Sequence, residues 1–437
     1  MDRKKIIFKN TSLSVLYKII NMGIVFTTIP LLLNYLDKEQ YGIWATIFSL
    51  INIVFFVDAG IGNGLKTKLS EAISANNFKL AKQYISTAYI SISIISLVIF
   101  IIGTTLIFTI NLEELFNTTL ISDDELKKIL FITLCLIVTA FVLNLYKSFY
   151  YASQKASKVE LAMLFYQVII LISILVLLNF FPRNLLLVTI IYGLSNIIIS
   201  IAFTVSFFKK NKQIIPSIFD FSVDKINALM GLSFSFFIIQ LCMIVIFTSD
   251  NLIVTNLLGP KEVTSYDIVY KLFQVVVTVA VIALDPLWAL YTDAYQKKDF
   301  SWIKKTILKL NKLFVLFAVF VVVLFYAADS VIKFWLQRDL NINKNLILFM
   351  SIFIIVRVYG VIYMMFLNGI GKVKTQMWLF ILGALINIPL SIYFVKYRQL
   401  GSSGVILGTV FSIITLAIIL PFQTFKILKK NESNRNR

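Results

Sequence analysis

Three basic side chains stand inside long apolar runs of this sequence: Lys18, Lys271 and Arg357. An ionised group at mid-bilayer costs ~2.5–3.5 kcal/mol even on a lenient insertion scale, so such a cation is expected to face a bundle interior or a hydrated cavity. Arg357 is the deepest, about eleven residues or ~16 Å from either end of its run at ~1.5 Å per residue. Lys271 follows Asp267 by four residues, the acid-first order that puts both on one helix face, so the pair either neutralises itself or presents a cation to a ligand. Lys18 lies closer to an interface that its long stem could reach. Asp250, with Asp267, Gln274, Ser249 and Asn251 around it in the same two runs, is a candidate proton or cation site, with hydrogen bonding between helices as the alternative. Asp58 and Asp285 fall near the ends of their runs, beside Gly60, Gly62 and Gly64 or beside Pro286, where they suit interfacial capping or gate contacts. Tyr266 with Tyr270, and Tyr359 with Tyr363, repeat at i, i+4. Their faces could stack on sugar rings, or serve as ordinary packing and belt residues.

Other chemistry is not encoded. Histidine is absent, and the two cysteines, Cys135 and Cys242, lie in apolar runs where they read as small buried hydrophobes. Gly369, Gly371 and Lys372 lack the upstream glycine and the following hydroxyl of a phosphate-binding loop, and there is no H-E-x-x-H motif. No cofactor, metal or enzymatic activity is therefore expected. Any transport must draw on ion gradients, membrane potential or substrate binding. The acidic stretch holding Glu113, Glu114, Asp123, Asp124 and Glu125 also carries Lys127 and Lys128 and reads as solvated surface.

The elements that would position these residues are membrane helices. The chain is 59% hydrophobic and 14% charged, and soluble domains carry about 25% charged residues. A net charge of +19 would suggest nucleic acid if the basic residues formed a stripe, but they cluster between apolar runs. A crossing helix needs ~20 apolar residues. Twelve such runs are legible, over 11–33, 41–62, 86–110, 129–150, 159–180, 185–208, 230–257, 264–290, 307–327, 346–369, 375–395 and 403–425. Lys and Arg number 28 in the segments that alternation puts on one side, with Lys147, Lys309 and Lys312 at the run ends taken with their loops, and 10 on the other, a bias expected of both termini in the cytoplasm. The N-terminal MDRKK leads into a run too long for a signal peptide and is expected to be retained.

The runs fall into two similar sets of six. A shift of 222 residues pairs Glu71, Ala72, Asn77, Phe78, Lys82 and Ile85 with Asp293, Ala294, Asp299, Phe300, Lys304 and Ile307. Equivalent points lie six helices apart, so the halves have the same orientation, a parallel repeat. The expected organisation is a six-helix half over 1–210, a linker over 211–227, a second six-helix half over 228–425 and a basic tail over 426–437, with a substrate path between the halves.

The stretch Tyr41-Gly42-Ile43-Trp44, the run Phe56-Val57-Asp58-Ala59-Gly60-Ile61-Gly62-Asn63-Gly64-Leu65, the loop from Glu71 to Lys82, and Ser249-Asp250-Asn251-Leu252-Ile253-Val254 through Leu258-Gly259 resemble the bacterial polysaccharide transporters, flippases of O-antigen and capsule units. That family belongs with the multidrug and toxic compound extrusion (MATE) transporters and the lipid II flippase in one superfamily. The resemblance implies an all-α, MATE-like fold in the bacterial inner membrane and a cargo of undecaprenyl-pyrophosphate-linked oligosaccharide, with membrane lipids and glycan polymerase or export proteins as further partners. It also implies that Lys18, Lys271 and Arg357 hold the pyrophosphate, since two phosphates in a bilayer need hydrogen-bonding cations. Asp250, Asp267 and Gln274 would then form an ion-coupling or polar lining, Asp58 and Asp285 a gate, and Tyr270, Tyr359 and Tyr363 sugar contacts. A cation-coupled drug antiporter, which should have an acidic cavity, and a lipid II flippase are the alternatives.

Overall fold

The computed structural model describes residues 3–56, 60–230 and 234–435. Every regular element among them is helical, as expected of apolar runs that must satisfy their own backbone hydrogen bonds in lipid. Eleven helices are long and apolar enough to cross a membrane. The first, α1 (Arg3–Phe56), is two helices joined at Asp37, whose φ of 65° and ψ of 179° are not helical. Counting both arms gives the twelve crossing segments.

The chain divides into two units, residues 1–234 and 235–437. In the first, α1 is followed by α2 (Ile61–Ser74), α3 (Phe78–Thr109), α4 (Leu112–Phe116), α5 (Asp123–Leu143), α6 (Tyr146–Ala152), α7 (Ala156–Phe180), α8 (Leu185–Lys210) and α9 (Val223–Met230). The long helix α1 packs along α7, and α5 lies between α3 and α8. The core under α2 is made by Leu65, Leu69, Ile85, Phe149 and Ala162. The segment after α8 folds onto α3: Ser217 and Ser222 donate their backbone N–H groups to Ser86 Oγ and Thr87 Oγ1 at 3.0 and 3.2 Å, and Lys82 pairs with Asp220 at 2.8 Å. Short α9 then crosses α2 so closely that a Cβ on Gly64 would lie 1.8 Å from the Leu229 carbonyl oxygen.

The second unit holds α10 (Phe234–Thr248), α11 (Asp250–Leu258), α12 (Pro260–Leu284), α13 (Leu287–Gln296), α14 (Phe300–Leu336), α15 (Lys344–Gly369), α16 (Lys374–Lys396) and α17 (Ser402–Arg435). Its helices α15 and α16 both pack on α17, and α12 packs on α15. The seventh crossing, α10 with α11, is interrupted at Ser249. This interruption puts Asp250 at a helix N-terminus, where the macrodipole favours a carboxylate.

The 222-residue repeat extends to backbone geometry. Asp37 has its equivalent in Gly259, with φ 87° and ψ 163°. Asn76 and Lys298 both take left-handed φ values, 55° and 56°. The next residues, Asn77 and Asp299, cap their helices through side chains that accept from Leu80 N and Trp302 N. Exposed apolar stripes repeat as well: Ile94, Leu97, Val98 and Ile101 on α3, and Leu316, Val319, Phe320 and Val323 on α14. Spacing of i, i+3, i+4, i+7 makes each a continuous helix face, and apolar faces of this length belong against acyl chains.

Candidate functional site

Arg357 sits midway along α15. Its Nη1 donates to Gln274 Oε1 on α12 at 3.0 Å, and the guanidinium lies 4.6 Å from the centroid of Phe247 and 5.6 Å from that of Phe353. Aromatic faces attract a cation without cancelling its charge. No carboxylate among the described residues pairs with it. The side chain lines a cavity of about 230 Å³ with Phe247, Met243, Met364 and Phe380. A partly buried guanidinium offers a planar fork of donors, of which one is committed here to a neutral amide, so the arrangement can receive a carboxylate or phosphate oxygen.

Lys271 is placed differently. Its ammonium is 2.5 Å from Asp267 Oδ2, and the pair is largely buried. Asp250 is buried and takes hydrogen bonds from the Tyr266 hydroxyl at 2.5 Å and from Thr409 Oγ1 at 3.2 Å. Asn387 in turn donates to Thr409 Oγ1 at 3.1 Å, while its own Oδ1 is buried without a partner. No cation among the described residues pairs with Asp250. An acceptor-rich cluster of this kind can hold a proton or a small cation.

The four tyrosines are on two helices. Tyr266 and Tyr270 stack on α12 with centroids 6.5 Å apart, and Tyr270 reaches Phe353, which also faces Arg357. Tyr359 lies beside Tyr363, their hydroxyls 3.3 Å apart, and Tyr363 donates to Asn311 at 3.0 Å. Tyr363 is fully buried, so its ring packs inside the second unit. Asp285 occupies the exposed turn between α12 and α13. Asp58 lies outside the described residues.

In the first unit Lys18, on α1, is 3.7 Å from Glu160 Oε1 on α7. Glu160 also feels the charge of Lys147, which lines a partly open cavity. Sequence reading passed over both. Glu160 stands at the start of its apolar run, where a carboxylate reads as interfacial. Lys147 stands at the end of its run, where a basic residue reads as part of the loop, but the apolar segment continues to Ala152 through α6. The available signal was the aromatic content of the stretch after it, Ser148-Phe149-Tyr150-Tyr151, which is too apolar for a loop.

A model of the family described as polysaccharide biosynthesis protein matches residues 7–286, and one described as MatE matches 236–393. A candidate O-antigen transporter of Salmonella typhimurium is 28% identical over 407 residues, covering 91% of each chain. A candidate O-antigen export protein of Yersinia pseudotuberculosis is 25% identical over 200 residues, 43% of each. Among solved structures, an inward-facing multidrug resistance MATE family transporter of the MOP superfamily superposes over 99% of both chains with a TM-score of 0.73 at 15% identity. A MOP superfamily transporter from Pyrococcus furiosus, described as having a binding pocket of reversed polarity, gives 0.70 at 15% identity over 99% of this chain and 97% of that one. These two establish the fold.

Proposed function

Because this chain belongs to the polysaccharide biosynthesis protein family, we propose that it is a flippase for undecaprenyl-pyrophosphate-linked oligosaccharide, an O-antigen or capsule repeat unit, working by alternating access. It is a transporter and a multi-pass protein of the bacterial inner membrane. Cargo moves from the cytoplasmic to the outer leaflet, with both termini in the cytoplasm.

The observation that carries this reading is Arg357, a cation deep in an apolar helix whose partners are an amide and two aromatic rings. Holding such a charge in the bilayer is costly without an anion, and a pyrophosphate supplies one. Lys18 and Lys271 each face a carboxylate, so they serve the headgroup as hydrogen-bond donors more than as net charge. Tyr270, beside Phe353, and Tyr359 provide ring faces for sugars. Asp250, with Thr409 and Asn387, is the site where an ion would couple to transport, Asp267 and Gln274 complete the polar lining, and Asp58 and Asp285 are gate positions.

The test is complementation of a flippase-deficient strain. Arg357→Ala at wild-type expression should cut surface glycan at least tenfold, and Arg357→Lys should restore part of it. Undiminished glycan in the alanine variant would overturn the assignment. The rival, a cation-coupled antiporter for organic cations, is favoured by the buried carboxylate of Asp250 and by the MatE match over 236–393. It requires drug resistance that rises with expression of this chain and is insensitive to Arg357.

A further inference from the structure

The first unit holds a partly open cavity of about 240 Å³ that none of the sequence motifs pointed to. Polar residues Lys147, Asn144, Gln167, Asn196 and Tyr166 line it together with Phe48 and Tyr192. Tyr192 packs at 5.3 Å from Trp44, 5.8 Å from Phe48 and 6.4 Å from Tyr166, so the wall is a fixed aromatic surface.

Several polar groups here are uncommitted. The Lys147 ammonium has no hydrogen bond or ion pair among the described residues; its nearest counter-charge, Glu160, is already held by Lys18. Two ammonium groups against one carboxylate leave one positive charge to be matched inside an apolar bundle, and burying that charge unmatched is costly. Gln167 and the Tyr166 hydroxyl likewise have no hydrogen-bond partner among the described residues. Asn144 Nδ2 donates to Ala140 O at 2.8 Å and to Asn196 Oδ1 at 3.3 Å, which fixes the amide's orientation. Its Oδ1 is buried without a partner, which leaves Gln167 as the amide whose oxygen can receive a donor from the cavity.

We infer that this cavity is a binding site for one carboxylated sugar ring of the cargo. The carboxylate would meet Lys147, ring hydroxyls would donate to Gln167 Oε1 and accept from Gln167 Nε2 and the Tyr166 hydroxyl, and the ring face would lie on the aromatic wall. A bare anion would match the charge but leave Gln167 Oε1 unsatisfied, since it brings no donor. A neutral sugar would satisfy Gln167 but leave the charge unmatched. The volume falls below the ~300 Å³ at which pockets take drug-sized ligands, which limits the occupant to about one ring.

The inference rests on the glycan-flippase reading for the source of the sugar, whereas its binding test does not. Full-length protein in nanodiscs is titrated with glucuronate, glucose and acetate by equilibrium dialysis. Glucuronate should bind at least tenfold more tightly than either control. Lys147→Gln should lose that preference, Lys147→Arg should keep part of it, and Gln167→Leu should weaken glucuronate without changing the thermal midpoint. Equal binding of glucuronate and glucose, equal binding of acetate and glucuronate, or indifference to Lys147→Gln would each overturn the site. If glucuronate fails to bind while Arg357→Ala still abolishes export, this inference falls and the flippase stands. If glucuronate binds through Lys147 while glycan export is absent, the site stands and the flippase reading falls.

Discussion

Arg357 and Asp250 are opposite solutions to the same problem, a charged group inside a bundle of the second unit. The guanidinium has aromatic and amide neighbours that keep it soluble in place without neutralising it, which leaves it available to an anion. The carboxylate has hydroxyl donors and, among the described residues, no cation, which leaves it available to a proton or a metal cation. Asp250→Asn should therefore abolish dependence of transport on an ion gradient while leaving the helix packing intact, because the amide keeps the shape and loses the charge. The measurement is gradient-driven uptake of lipid-linked cargo in inverted vesicles; a variant as gradient-sensitive as the parent would remove Asp250 from coupling.

At the scale of elements, the breaks matter more than the helices. Asp37 holds a φ of 65° and ψ of 179°, a region nearly confined to glycine that costs ~1–3 kcal/mol. It is kept there because its Oδ1 accepts from Glu39 N and Gln40 N at 2.9 and 3.1 Å, starting the next arm, while Oδ2 meets Arg183 at 3.0 Å. Asp37→Ala keeps the strain and loses the cap, so it should lower stability by ~1–3 kcal/mol, read as a lower thermal midpoint in detergent. At Gly259 the same turn needs no compensation. Gly64→Ala would push α9 away from α2, at a cost of ~1–3 kcal/mol for overpacking. The readout is again the thermal midpoint, and a variant as stable as the parent would mean that α9 does not rest on α2.

Across the whole molecule the deep charges are unevenly shared. Among the described residues the second unit balances Lys271 and Arg357 against Asp250 and Asp267, while the first sets Lys18 and Lys147 against Glu160. The surplus in the first unit is what the acidic-sugar site would use. Orientation is a separate property of the whole chain. In a variant with Cys135 and Cys242 replaced, a reporter cysteine at Lys68 should react with an impermeant maleimide only after the membrane is opened, and one at Asp339 should react in intact spheroplasts. The reverse pattern would invert the topology and with it the direction of transport.

Composition and spacing alone determined that this chain crosses a membrane twelve times in two similar sets of six. Transfer of apolar runs from water to lipid depends on length and content, and a repeat leaves its mark in register whatever the packing. The same 222-residue offset that aligned Asn77 with Asp299 also aligns their caps and the lipid-facing stripes of α3 and α14. Partnership was not legible. Arg357, Lys271 and Lys18 look alike as cations in apolar runs, yet the fold gives one an amide and two rings and the others a carboxylate each. Glu160 and Lys147 stand at the ends of their runs, and only the packing of α6 on α7 brings their charges together. Whether a buried charge is free to act depends on side chains brought near it from other helices, and only the tertiary structure brings them there.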